Sequence, residues 1–212
     1  MKNLVPTMLF LITFYLLPLG AAPEQLITWP ILALAFFCTV LFATQPALCA
    51  RECKQHKSTD AWTIWLILGV SGLGQIASVV EWAYFRGAPQ QLDPWAIAGV
   101  TCLALGTAFR LWAIRTLDNA FAAVVQIKEG QQLVTSGPYR CLRHPSYTGA
   151  WIAMIGAALL MHSYIGLVLM GPGMLLVYRR RIAVEERTLE QGFGNEYLKM
   201  KQNTQRLLPG VW

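Results

Sequence analysis

The feature that most restricts the fold of this chain is a series of continuous apolar runs, each about 20 residues long. Charged residues make up only 13% of the 212 residues, whereas a soluble domain carries about 25%. Because the runs are continuous rather than alternating, they predict membrane-spanning helices and not the strands of a closed barrel. The sequence therefore predicts an all-α, polytopic transmembrane helix bundle that forms a single integral membrane domain over residues 1–212.

We expect about six membrane segments. The first four are predicted at Leu4–Leu19, Ile27–Ala47, Trp62–Phe85 and Pro94–Leu117. The next apolar region, 149–177, would make a helix of about 44 Å, which is too long for one upright span. We therefore predict that the last two segments form a helical hairpin turning near His162, with a C-terminal amphipathic helix after them. In that hairpin His162 is a turn residue and not a ligand, and Gly192 and Gly194 interrupt the amphipathic helix. A single tilted helix kinked at Pro172 is the alternative.

The distribution of basic residues predicts the topology. With six segments, fifteen of the seventeen lysines and arginines fall on one side of the membrane, so both termini are expected to be cytoplasmic. The first segment ends before Gly20-Ala21-Ala22, small residues typical of a signal-peptide cleavage site. A cleaved signal peptide and a retained span both fit Leu4–Leu19, and we favour the retained span.

Composition also argues against two classes of function. The net charge of +6 comes from residues in loops and at helix ends, without the aromatic interleaving of nucleic-acid binders, so no nucleic-acid partner is expected. The five cysteines include no Cys-x-x-Cys pair and the histidines are scattered, so we expect no metal site. These cysteines are Cys38, Cys49, Cys53, Cys102 and Cys141.

The densest group of chemically capable side chains lies in Ser136–Gly149, which reads SGPYRCLRHPSYTG. Pro138 and Pro145 stiffen this stretch and disfavour helix at the residue before each. We call residues 136–149 the hinge. One interpretation is a functional site at the membrane surface. The other is a cytoplasmic loop whose arginines only follow the distribution of positive charge.

Charged residues near or within the apolar segments carry further alternatives. Arg110 lies inside the fourth segment and must either snorkel to the surface or face a polar cavity. Glu81 is expected to be interfacial rather than a buried partner for an arginine. Arg181 and Glu185 share a helix face, which fits either a site or a surface ion pair worth about 0.3–0.5 kcal/mol. Glu186 is expected to pair with Arg143 or Arg180.

The order of short motifs resembles a known family. Leu133-Val134 precedes the hinge, and an apolar hairpin follows it. After the hairpin come Arg181-x-x-x-Glu185-Glu186-x-x-Leu189 and Phe193-Gly194-x-x-Tyr197. This order is similar to that of the isoprenylcysteine carboxyl methyltransferase family and, more distantly, of the phospholipid N-methyltransferases. The resemblance covers the chain from about Arg110 to its C-terminus.

The resemblance implies a methyl donor, S-adenosyl-L-methionine, bound on the cytosolic side by residues 118–149 and 179–212. Its implied catalytic residues are Arg181, which would face the methyl acceptor, Arg110 and Tyr147. The residues implied to line the cofactor pocket are Gln126, Gln131, Gln132, Leu133, Val134, Tyr139, His144, Pro145, Ser146, Tyr147 and Glu185.

The implied reaction is methyl transfer to the carboxylate of a lipophilic, isoprenylcysteine-like substrate at the membrane surface. Sulfonium and carboxylate neutralise each other along the reaction, so a water-poor site favours it. A carboxylate is already deprotonated at neutral pH, so no strong general base is needed. The expected partners are a lipophilic small molecule or prenylated substrate and membrane lipid. The alternatives are a lipid-amine N-methyltransferase, a non-enzymatic protein that keeps the scaffold, and a nicotinamide-dependent reductase, which lacks support because no dinucleotide-binding motif is present.

Overall fold

The computed structural model describes residues 4–43, 61–118 and 132–208, and this part of the chain is helical and contains no β-strands. The predicted all-α class is confirmed. Its α-helices, in chain order, are α1 (Leu4–Leu11), α2 (Trp29–Ala43), α3 (Ala61–Val80), α4 (Pro94–Leu117), α5 (Pro145–Leu160), α6 (Tyr164–Val168), α7 (Met174–Phe193) and α8 (Asn195–Asn203). Single π-helical turns extend α1 over Ile12–Leu16 and α3 over Glu81–Phe85, and a third joins α6 to α7 over Leu169–Gly173.

Within residues 4–43, 61–118 and 132–208, two helices are long and apolar enough to cross a membrane by length and composition. They are Trp62–Phe85 and Pro94–Leu117, with mean hydropathies of 1.7 and 1.6. Three shorter apolar helices cover Thr7–Leu16, Trp29–Leu41 and Pro145–Leu160. The expected number of about six membrane segments therefore stays a prediction.

Helices α4 and α5 pack with their backbones in contact, because glycines face each other along the seam. A Cβ atom built on Gly106 would lie 2.6 Å from the carbonyl oxygen of Gly149. One built on Gly149 would lie 2.6 Å from the backbone nitrogen of Arg110. Small residues permit this approach in membrane helices. The seam therefore fixes Arg110 of α4 directly beside the start of α5.

The predicted hairpin is confirmed, and the single kinked helix is wrong. The chain reverses between α5 and α6 at His162, which adopts a left-handed φ of +49° as a turn residue. Pro172 lies within the π-helical turn, and the second arm continues through it into α7. We call the end of the bundle around residues 161–163 the turn end and the opposite end the hinge end.

At the turn end, Glu81 is buried and its side chain joins two parts of the chain. Its Oε2 accepts hydrogen bonds from the hydroxyl of Ser163 at 2.6 Å and from the backbone N–H of Ile165 at 3.0 Å. Its Oε1 pairs with Arg86 at 3.2 Å. The preference for an interfacial Glu81 is therefore wrong, because the first turn of α6 and an arginine enclose the carboxylate.

At the C-terminal end, α7 runs without a break through Gly192, so the predicted interruption at that residue is wrong. The helix ends at Gly194, whose φ of +52° favours glycine, and α8 follows. Residues 205–207 then return to the hinge. Gln205 forms a parallel bridge with Leu142, its carbonyl accepts from Arg143 N–H at 2.8 Å, and its own N–H donates to Cys141.

Candidate active site

The shape of the hinge follows from its prolines and one glycine. Gly137, at a left-handed φ of +56°, leads into a short 3-10 turn that ends at Arg140. Pro145 occupies the first turn of α5, where a missing N–H costs nothing. His144 therefore sits at the junction of turn and helix, and its side chain is buried.

A buried ion cluster ties the hinge to α7. Arg143 Nε lies 2.7 Å from Glu186 Oε1, and Arg206 Nη2 lies 3.0 Å from Glu186 Oε2. Arg143 also donates to the carbonyl of Thr204. Burial acts to raise the pKa of Glu186, but His144, Arg143 and Arg206 outweigh it and lower the pKa to about 2. Of the two expected partners for Glu186, the structure shows Arg143.

Tyr147 links the two residues that the sequence places on one face of α7. Its hydroxyl donates to Glu185 Oε2 at 2.9 Å and accepts from Arg181 Nε at 3.2 Å. Arg181 is only 2% exposed, and its Nε lies 3.9 Å from Glu185 Oε2. The alternative of a simple surface ion pair is therefore wrong, since the arginine is enclosed by the protein and bonded through the tyrosine.

Arg110 faces the hinge. Its Nη1 donates to the backbone carbonyl of Ser146 at 2.9 Å. Arg110 is partly buried, and its guanidinium is bonded to the hinge. The two expectations for Arg110, snorkelling and a polar cavity, both stay predictions. The structure thus brings all three residues predicted to be catalytic to the hinge end.

Two buried polar atoms near this group have no hydrogen-bond partner in the described part of the chain. They are His144 Nε2 and the hydroxyl oxygen of Tyr197. His144 Nε2 lies 3.6 Å from Glu186 Oε1, and His144 Nδ1 lies 3.9 Å from Glu185 Oε1, both beyond normal hydrogen-bond length. An unsatisfied buried polar group costs about 1–3 kcal/mol, so these atoms are suited to meet a polar ligand.

The remaining predicted cofactor residues divide into three sets. Leu133, Val134 and Tyr139 pack together with Tyr197 of α8 and its neighbours, and Pro145 and Ser146 are buried at the start of α5. Burial, aided by Glu185, raises the pKa of Tyr139, which keeps its hydroxyl protonated. Gln132 is exposed, and among the described residues no hydrogen bond or ion pair joins it to this group. Gln126 and Gln131 lie outside the described residues.

An open cavity of about 380 Å³ lies between the start of the hinge and α8. Its lining consists of Thr135, Tyr139, Arg140, Glu196, Lys199, Met200 and Asn203. Tyr139 is the member that the sequence also predicts for the site. The cavity therefore adjoins the apolar cluster around Leu133 and Val134 from the side of the C-terminal helix.

Sequence reasoning missed three parts of this end of the molecule. Tyr178 lies one turn before Arg181 on the same face of α7, so helical periodicity alone could have found it. Thr63 of α3 accepts from Arg181 Nη1 at 3.4 Å, but no motif in the first half of the chain marks it. The return of residues 205–207 to the hinge had no sequence signal, because it uses backbone groups.

Comparisons with known proteins agree with this geometry. Residues 99–191 match the profile of the isoprenylcysteine carboxyl methyltransferase (ICMT) family. The chain is 32% identical over 150 residues to protein-S-isoprenylcysteine O-methyltransferase B of Arabidopsis thaliana, covering 69% of this chain and 73% of that protein. It is 29% identical to the Dictyostelium discoideum enzyme, covering 62% of this chain and 56% of that one. The human enzyme is 32% identical, with 58% and 44% covered.

The fold also matches a solved structure. That structure is of the eukaryotic intramembrane Ras methyltransferase ICMT, with a TM-score of 0.63 at 22% identity, covering 88% of this chain and 70% of the other. At 22% identity, the match supports the fold alone. The chain spans about half to three quarters of the length of these curated relatives. The profile match over the hinge and the long alignment with the Arabidopsis protein show that this chain is an integral membrane protein of the isoprenylcysteine carboxyl methyltransferase family.

Proposed function

We propose that this protein transfers a methyl group from S-adenosyl-L-methionine to the carboxylate of a lipophilic, isoprenylcysteine-like substrate at the membrane surface. The observation that carries the proposal is the bridge from Arg181 through Tyr147 to Glu185. It joins a cation suited to the acceptor and a carboxylate suited to the donor at one place. The hinge and α7, which are far apart in sequence, therefore form one site.

S-adenosyl-L-methionine would supply a methyl group on a positively charged sulfur. The residues around the hinge fit such a group. Glu185 keeps 21% of its side chain exposed, and its Oε1 is beyond hydrogen-bond length from His144, so it can accept from hydroxyl or amine groups. His144 Nε2 makes no hydrogen bond of normal length and lies 3.6 Å from Glu186 Oε1. Leu133, Val134 and Tyr139 provide an apolar wall beside them.

On the acceptor side, Arg181 and Arg110 provide permanent positive charge. Arginine binds carboxylates well because its planar guanidinium can donate to two oxygens at once. Burial of Arg181 excludes water, which strengthens its attraction for a carboxylate and removes the hydration that would slow the nucleophile. Correct placement of two reactants can lower the barrier by about 7–11 kcal/mol. The residues therefore act by binding and orientation.

The proposed arrangement in the membrane follows from the charge distribution. Residues 118–149 and 179–212 would form the cytosolic-side loop and tail that hold the donor, and both termini would be cytoplasmic in a multi-pass chain. The hinge end carries the exposed arginines 140, 179 and 180, whereas the turn end carries Arg86. An acceptor with an apolar tail would approach from the lipid with its head group at the level of Arg181.

The test is a methylation assay with purified protein, labelled S-adenosyl-L-methionine and an S-farnesylated N-acetylcysteine. We expect label in the lipid phase that mild base releases as methanol, because a methyl ester is base-labile. A base-stable product from a lipid extract would instead indicate an N-methyltransferase. If the protein neither binds the donor nor labels any lipid, the enzymatic proposal is wrong.

A further inference from the structure

We propose that Tyr197 of α8 is a further donor-binding residue, whose buried hydroxyl forms a hydrogen bond with the adenine base of S-adenosyl-L-methionine. This inference rests on the proposed function and deepens it by naming the part of the chain that recognises the base. Tyr197 lies in the motif Phe193-Gly194-x-x-Tyr197. That motif belongs to the family resemblance, but none of the implied roles falls on it.

Tyr197 packs with residues that are expected to hold the donor. It is 1% exposed and belongs to an apolar cluster with Tyr139, against which Leu133 and Val134 pack. Leu133 and Val134 are only partly buried, so a flat apolar ring has a surface to lie on. Met200, three residues after Tyr197 on α8, is also in this cluster. The C-terminal helix therefore contributes to the wall of the expected donor pocket.

The hydroxyl of Tyr197 is a polar group inside this apolar cluster. Its oxygen is buried and has no hydrogen-bond partner in the part of the chain that the structure describes. Burial is the main cause that raises the pKa of Tyr197, so the hydroxyl stays protonated at neutral pH and can donate. A buried hydroxyl without a partner costs free energy, and a ligand that bonds to it removes this cost. The cluster is therefore suited to an apolar ligand with a polar edge.

An open cavity borders the cluster on the side of α8. The cavity of about 380 Å³ and the cluster have Tyr139 and Met200 in common. Its volume lies in the range of about 300–1,000 Å³ that is usual for small-molecule sites. A ligand in this cavity therefore contacts the cluster that contains Tyr197.

Of the parts of the donor, the adenine base fits this cluster best. The base has two apolar faces and an edge of nitrogen atoms. The methionine part carries an ammonium and a carboxylate, and the ribose carries two hydroxyls, so these groups need polar partners such as those around Glu185. A tyrosine hydroxyl can donate to a ring nitrogen or accept from the exocyclic amine. We therefore assign the cluster around Tyr197 to the base.

The experiment compares the wild-type protein with Y197F, which removes the hydroxyl and keeps the ring. Calorimetry in detergent measures the Kd of S-adenosyl-L-homocysteine, the demethylated donor, and of 5′-methylthioadenosine, which keeps the adenine and lacks the amino-acid part. We expect Y197F to raise both Kd values about five- to ten-fold, because a hydrogen bond between neutral groups is lost. A loss confined to S-adenosyl-L-homocysteine would overturn the assignment to the base. Wild-type Kd values for both ligands would overturn the role of Tyr197.

A second measurement separates binding from folding. Y197F removes a polar group without a partner, so the unfolding midpoint of the ligand-free protein should stay at the wild-type value or rise. The increase in the midpoint at a fixed concentration of S-adenosyl-L-homocysteine should become smaller, since weaker binding stabilises less. A ligand-free Y197F protein that unfolds at a lower temperature would show that the hydroxyl has a structural partner, and would overturn the proposal.

Y84F is the matched control for both measurements. Tyr84 lies at the turn end, and its hydroxyl already donates to the carbonyl of Pro18 at 2.9 Å. Y84F should therefore keep the wild-type Kd values and the wild-type increase in the midpoint. A wild-type protein without affinity for S-adenosyl-L-homocysteine would contradict the proposed function itself.

Discussion

Acidic side chains lie among basic ones at both ends of the bundle, but the two ends differ in how many of the carboxylate oxygens have hydrogen-bond partners. At the turn end, both oxygens of Glu81 accept hydrogen bonds, from Ser163, Ile165 and Arg86. Both oxygens of Asp93 also have partners. One accepts from Ala96 N–H at 2.8 Å and caps α4, and the other lies 2.7 Å from His162 Nε2. Arg86 in turn lies over the ring of Tyr164 at 4.1 Å.

At the hinge end, the neighbouring residues Glu185 and Glu186 of α7 differ in this respect. Glu186 is saturated by Arg143 and Arg206, as Glu81 is by its partners. Glu185 bonds through one oxygen to Tyr147 and leaves the other 3.9 Å from His144. Glu186 therefore acts as a structural anchor, whereas the neighbouring Glu185 keeps one oxygen for a further hydrogen bond. The comparison teaches that a candidate site differs from a purely structural ion cluster in its unused hydrogen-bonding capacity, rather than in its number of charges.

The comparison is sharpest at Arg181. We expect R181A to lower kcat/KM for the acceptor at least about 100-fold, because a buried cation that faces an anionic ligand is costly to remove. The Kd for S-adenosyl-L-methionine should change little. The control is R180A, which removes the adjacent exposed arginine and should keep wild-type kinetics. Acceptor kinetics and donor calorimetry on both variants check this, and unchanged turnover in R181A would contradict it.

Glu185 tests whether the open carboxylate meets the donor. We expect E185A to weaken S-adenosyl-L-methionine binding about 10- to 100-fold, since hydrogen bonds to a charged group contribute about 1.5–3 kcal/mol. Isothermal titration calorimetry in detergent measures the effect. E190A, a nearby carboxylate on α7 that pairs with Lys201, serves as the control. Wild-type affinity in E185A would remove Glu185 from the donor site.

The structural role of Glu186 can be tested through the pH dependence of stability. The folded pKa of about 2 lies below the ordinary 4.5, so its contribution to stability is complete above about pH 4.5. That contribution is lost as the pH falls from 4.5 towards 2. We expect E186Q to be destabilised at pH 7 by about 3 kcal/mol and to lose less stability over this interval than the wild type. Thermal unfolding across the pH series measures both, and parallel curves would be inconsistent with the assignment.

We expect the ion cluster at the turn end to contribute to stability and not to turnover. We expect E81Q to lower the free energy of unfolding by about 1–3 kcal/mol, because Ser163, Ile165 and Arg86 lose a charged acceptor. The kcat/KM of the folded fraction should stay at the wild-type value. Unfolding curves are compared with activity per mole of donor-binding protein. A selective loss of turnover would show that the two ends are coupled and would break the comparison.

Thr63 is expected to give the smallest effect. T63V removes the hydroxyl that accepts from Arg181 and keeps the shape of the side chain, so we expect a two- to five-fold rise in acceptor KM, about 0.5–1 kcal/mol. T63S restores the hydroxyl and should recover most of the wild-type value. Steady-state kinetics check this, and equal KM values in T63V and wild type would exclude Thr63 from positioning Arg181.

Local chemistry explains which features could be predicted. The hairpin at His162 followed from the length of an apolar run, and the shared face of Arg181 and Glu185 followed from helical spacing. The burial of Glu81 could not be read from α3, because its partners come from the first turn of α6. Gly192 was wrongly expected to end a helix, since packing of α7 outweighs the propensity of one glycine.

The return of residues 205–207 also has a consequence for biosynthesis. Three backbone hydrogen bonds join Cys141, Arg143 and His144 to Gln205 and Arg206, about 60 residues later in the chain. Thr148 adds a side-chain bond to the carbonyl of Leu207. The ribosome therefore releases the hinge well before these C-terminal partners exist. The geometry of the proposed site is therefore completed only after the hairpin and the C-terminal helices have been synthesised.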